Sequence, residues 1–160
     1  MVSMRTLAKA AFLFASAANA HFLLLNPPSL EGDSIEENKE GNAPCGAKVP
    51  DLSQTTTSTF HVDGDSVAVQ LGHPQAKWLI RGTLVDKAAG NWTQLFPIVL
   101  QSGLGNFCEP SVTVPKSWVN KTGIISVVAN APDGTLYQVR ASPKDRTGAS
   151  ICRANELHEH

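Results

Sequence analysis

Apolar and polar positions alternate along this chain in short runs, and helical spacing is scarce after the first 20 residues. His21 to Leu25 is an apolar opening strand stopped by Asn26-Pro27-Pro28. Residues 29–55 are polar, punctuated by Pro44-Cys45-Gly46 and Pro50, and carry the acidic run Glu36-Glu37-Asn38-Lys39-Glu40, the pattern of a long surface excursion. Ser58 to Val62 reads as a strand with Asp63-Gly64-Asp65 as its turn, and Ser66 to Leu71 sets Val67, Val69 and Leu71 on one face. Lys77 to Leu84 and Leu95 to Gln101 follow, the latter made an edge or bulged strand by Pro97. Gly123 to Asn130 is the most β-prone stretch, and Pro132-Asp133-Gly134 turns it into Thr135 to Val139. About seven short strands between Pro, Gly, Asn and Asp turns predict an all-β fold, an immunoglobulin-like antiparallel β-sandwich.

Both ends depart from that pattern. Residues 1–20 carry Arg5 and Lys9, an apolar centre from Ala10 to Ala18, and the small-x-small site Ala18-Asn19-Ala20, which together read as a secretory signal peptide. The apolar run is shorter than the roughly 20 residues a bilayer-spanning helix needs. Beyond Gln138, residues 139–160 keep no period of two or 3.6 and read as an irregular tail, so the sandwich is expected to span 21–138 and to lack its last strand.

Composition then narrows the function. The signal holds two of the 13 basic residues and none of the 14 acidic ones, so the mature chain has 11 against 14, a formal charge of −3. Without a basic cluster, nucleic acid is not an expected partner. Export makes disulfides the expected state of Cys45, Cys108 and Cys152, yet three is odd and any single pairing is open. The acceptor sequons at Asn91 and Asn120 agree with export through a eukaryotic pathway. Phosphate loops, CxxC pairs, HExxH helices and G-x-S-x-G elbows are absent from the sequence. The carboxylates at Glu36-Glu37 and Asp63/Asp65 read as solvated loop and turn chemistry.

The informative residue is His21. Cleavage after Ala20 makes it the N-terminus, where the α-amine and ring Nδ1 of one residue can close a chelate on a metal. An α-amine with a pKa of roughly 7.7 to 8 can yield its proton to a metal near neutral pH. One further imidazole completes three nitrogens in a T shape, a set that suits the tetragonal preference of Cu(II). His73, at a strand end in Leu71-Gly72-His73-Pro74, and His61, beside a turn, are the candidates, while His158 and His160 sit in the tail.

His21-Phe22-x-Leu24-x-x-Pro27, Pro44-Cys45-Gly46, Phe60-x-Val62-Asp63-Gly64-Asp65, Gly72-His73-Pro74-x-Ala76, Gly105-x-Phe107-Cys108-x-Pro110 and Asp133-Gly134-x-Leu136-Tyr137-Gln138 follow one another in a familiar order. Together they resemble the fungal copper acquisition factors, cell-surface copper-binding proteins related to lytic polysaccharide monooxygenases. The resemblance covers His21 to Gln138. It implies a β-sandwich with a histidine brace made of the amine and ring of His21 and the ring of His73. It also implies Cu(II) binding outside the cell in support of copper homeostasis or uptake, without polysaccharide oxidation. The expected partners are the copper ion and a cell-surface copper transporter, with the membrane reached only through a lipid anchor. Relatives have proline where His61 stands, which turns the second-ligand assignment to His73.

The chain departs from the family after Gln138, where relatives carry a cysteine and then an aspartate that completes the copper site. Val139 to Ala141 supply neither, which is what an altered gene model would produce. Asp63, Asp133 and Asp145 are the other carboxylates that composition offers. Two other readings stay open. A copper monooxygenase needs a substrate-facing surface, but Trp78 and Tyr137 fall in strands where core packing is expected, leaving Trp92 and Trp118. A metal-free structural domain of the cell wall predicts no role for His21.

Overall fold

Alternation at period two makes one face of each strand apolar, and two such faces can be removed from water only against each other. In the computed structural model this happens through eight strands, all paired antiparallel: β1 (Phe22–Asn26), β2 (Asp65–Leu71), β3 (Gln75–Leu84), β4 (Thr93–Gln94), β5 (Val99–Ser102), β6 (Gly105–Val112), β7 (Gly123–Ala131) and β8 (Gly134–Ser142). The structure describes residues 21–29, 39–46, 50–51, 57–87, 90–132 and 134–142, the side chains of 140–142 excepted. One sheet has the order β1-β2-β6. The other has β4-β3-β7-β8, with β5 also paired to β3. The sandwich expected from the alternation is therefore the fold.

The core lies between the sheets. Phe22, Leu24, Val67, Val69 and Leu71 face Trp78, Ile80, Ile125, Val127 and Ala129, and Phe22 meets the Trp78 ring edge-on at 5.2 Å. The buried indole nitrogen of Trp78 is satisfied by Gln101 Oε1 at 2.9 Å. Each of these large side chains, taken fully out of water, contributes about 1.5–3 kcal/mol. The seven residues from Gly123 to Ala129 are all buried, because the outer face of β7 is also covered. There Ile124 packs with Cys45 and Val139, and Trp92 lies against them.

Three expectations are corrected. Ser58 to Val62 is not a strand: the His61 amide is taken by the Asp65 carboxylate at 3.3 Å instead of a ladder partner, although Phe60 is buried in the core. The strand read as Leu95 to Gln101 begins at Val99, after Pro97, and β5 pairs only with β3. The last strand does not stop at Gln138. β8 runs to Ser142 because β7 offers a ladder as far as Gly123, and Val139 is buried against Ile124. β6, containing Pro110, had no counterpart in the sequence pattern.

Candidate metal centre

The N-terminal end of β1 and the C-terminal end of β2 coincide. Phe22 is paired with Leu71, and the ladder continues one step further with the Gly72 amide donating to the His21 carbonyl at 3.1 Å. A β-carbon at position 72 would lie 2.8 Å from that carbonyl oxygen, so only glycine permits the approach. The next residue is His73, which is buried between β2 and β3. Pro74 is held in turn by the Gly103 amide, whose bond to its carbonyl is 2.7 Å. The two histidines singled out from sequence thus lie at the same end of the sandwich, His21 half-buried and His73 buried.

β1 is fixed from the opposite sheet by Gln138. Its Oε1 accepts from the Leu24 amide at 2.9 Å, and its Nε2 donates to the Phe22 carbonyl and, at 2.6 Å, to Glu40 Oε1. Glu40 is only 2 % exposed, and its carbonyl accepts from the Tyr137 amide at 2.9 Å. The acidic run ending at Glu40 was expected to be solvated. Its last member is instead buried against β8, since Gln138 supplies a donor that compensates part of the lost hydration. Gln138 stood at the end of one quoted motif, but a single polar letter in a strand carries no sign of this bridging role. Glu40 gave no sequence signal.

Other candidates lie elsewhere. His61 Nδ1 is 2.8 Å from Asp65 Oδ2, at the start of β2. Seven strand residues, about 23 Å at roughly 3.3 Å each, separate that end from Gly72. Asp63 is exposed in the turn at the same far end. Asp133, Asp145, Cys152, His158 and His160 are outside the described residues. Among the described residues no three His, Cys, Asp or Glu side chains converge. A brace would need two histidines and, were cleavage to follow Ala20, a terminal amine, all nitrogen donors that suit copper, and the backbone approach of Gly72 to His21 sets His73 one residue from that pairing.

Cys45 is not bridged. It is a free thiol, and the excursion is held by hydrogen bonds instead, the Gly46 amide on the Asn42 carbonyl and Arg81 Nη2 on the Pro44 carbonyl. Burial pushes its pKa up from 9.0 to about 11, against a smaller opposing pull from the Arg81 guanidinium. Trp78 is a core residue as expected, whereas Tyr137 and Trp92 are partly exposed and flank Arg81.

Residues 19–147 match the family described as copper acquisition factor BIM1-like, whose members' shared function implies copper binding. The chain is also 32 % identical over 133 residues to a lytic polysaccharide monooxygenase-like protein, X325, of Yarrowia lipolytica. That similarity takes in 76 % of this chain and 48 % of the relative, so the chain spans about half the length of the curated relative it matches. The match extends beyond Gln138 through the strand that the structure continues to Ser142. By this evidence the chain belongs to the BIM1-like copper acquisition factor family.

Proposed function

We propose that the protein is an extracellular Cu(II)-binding protein in which signal cleavage after Ala20 frees the His21 amine, and this amine, the His21 ring and the His73 ring hold the ion. The observation that carries the reading is the close approach at Gly72, which brings His73 beside the residue that cleavage would make the N-terminus. Copper is the cargo, taken up outside the cell for homeostasis and handed to a surface transporter. The disulfide-bonded state of Cys108 supports an oxidising compartment. The exposed sequons at Asn91 and Asn120 are the sites where glycans would attach, and a lipid anchor would keep the protein at the membrane.

The test is electron paramagnetic resonance of correctly cleaved protein loaded with Cu(II). His21→Ala, His73→Ala and a form with one extra residue before His21 are expected to lose the three-nitrogen signature. Unchanged spectra in all three would overturn the assignment.

The relative's name keeps a monooxygenase reading in view. The large exposed apolar side chains among the described residues are all aliphatic, Leu104 the most exposed of them at 70 %. Trp92, Trp118 and Tyr137 are only partly exposed, and a sugar-stacking platform calls for exposed rings. Oxidised oligosaccharides formed with reductant and peroxide would decide for the enzyme.

A further inference from the structure

The outer face of the five-stranded sheet is ruled into rows by its register. Lys77 pairs with Asn130, which pairs with Thr135. Leu79 pairs with Val128 and that with Tyr137. Arg81 pairs with Ser126. The middle row is apolar and lies about 7 Å along the strand from a cation on either side. Ile98, exposed, extends it beyond β3, and together these residues line an open groove of about 350 Å³. That volume is at the lower end for sites that take small organic ligands, roughly 300–1,000 Å³.

Arg81 is the unusual member. Its guanidinium lies 4.4 Å from the centre of the Trp92 ring and 5.5 Å from that of Tyr137. It donates to the Pro44 carbonyl at 2.8 Å and to Ser126 Oγ at 3.4 Å. All of these partners are neutral. No carboxylate among the described residues pairs with Arg81 or with Lys77. Burial lowers the Arg81 pKa, with the Tyr137 phenol and the Cys45 thiol pulling the other way, so its charge is held where hydration is thin. A half-buried guanidinium with no counter-ion among the described residues, at the edge of an apolar row, offers a carboxylate a two-pronged partner and its hydrocarbon body a floor.

We propose that this groove binds an alkyl carboxylate of medium length, its carboxylate on Arg81 and its chain across the strands over Val128, Leu79 and Ile98. The row spans four strands at about 4.8 Å, roughly 14 Å in all, which sets the length of the chain. Binding involves no bond making and is independent of the copper site, because neither His21 nor His73 lines the groove.

Decanoate is the probe, titrated into the full mature protein by calorimetry and followed by quenching of indole fluorescence. Saturable one-to-one binding is expected, with decanol at least tenfold weaker. Arg81→Gln should weaken decanoate at least tenfold while leaving decanol unchanged. Since Arg81 also holds Pro44, Leu79→Ser provides a second arm: it removes apolar floor without adding charge beside Arg81 and should weaken decanoate at least tenfold with the far-ultraviolet circular dichroism preserved. Absence of binding at millimolar decanoate, equal affinity in the Arg81 variant, or association only with anionic vesicles would each overturn the proposal.

Discussion

The side chain of Gln138 and the backbone of Leu24, 114 positions apart, are joined by a buried 2.9 Å hydrogen bond, and the same amide also holds the Phe22 carbonyl and Glu40. This one side chain stitches the first strand to the last across the sandwich. Gln138→Leu removes three bonds and strands the buried Leu24 amide and Phe22 carbonyl, a loss of about 2–4 kcal/mol by denaturant titration. Because Phe22 follows His21 directly, the same variant should bind Cu(II) several-fold more weakly under conditions where it remains folded. Equal affinity would show that the stitch serves stability alone.

Gly72→Ala isolates the geometry of the metal centre from the identity of its ligands. The added carbon would press on the His21 carbonyl at 2.8 Å, and a backbone atom cannot swing aside as a side chain can. Copper affinity should fall about tenfold, roughly 1.4 kcal/mol. His61→Ala is the matching control. It removes the contact to Asp65 at the far end of β2 and should leave the copper spectrum unchanged.

Cys45 makes stability depend on alkaline pH. Burial pushes its thiol up to a folded pKa of about 11 from an ordinary 9.0, so the folded state holds the proton more tightly. The contribution is complete below pH 9, where both states are protonated. It drains away between about pH 9 and 11 as the unfolded chain ionises first. Urea titrations at pH 8 and pH 11 should show this extra loss in the parent and not in Cys45→Ala. The native thiol should also resist alkylation at pH 8 and react once the chain is unfolded.

Ending the chain after Gln138 would delete the pairs from Ser126↔Val139 to Gly123↔Ser142 and uncover Ile124. A cost of about 3 kcal/mol and a melting temperature lower by about 10 °C are expected. The truncation also removes Cys152, so a variant melting with the parent would show that residues 139–160 as a whole, the last four residues of β8 among them, contribute nothing.

The strands legible in the sequence are those with clean alternation or long β-branched runs: β2 through Val67, Val69 and Leu71, β3 through Trp78 and Ile80, and β7 throughout. β6 escaped notice because Glu109, Pro110 and Ser111 interrupt its apolar positions, and an edge strand, buried at few points, selects weakly for pattern. The end of β8 was obscured for a related reason, since a ladder satisfies backbone groups whatever the side chains are. The proposed pair His21 and His73 rests on local signals, the small-x-small triplet Ala18-Asn19-Ala20 and the order of motifs. Gln138 and Glu40 act across nearly the whole chain, where no local pattern records a partner.

The position of β1 also orders events during synthesis. It emerges from the ribosome first, yet its ladder partner is Asp65–Leu71 and its second anchor is residue 138. The segment bearing His21 therefore gains its ladder only after residue 71 has been made and its second anchor only after residue 138. A nascent or misassembled chain offers only a loose histidine, and copper capture would report that the sandwich has closed.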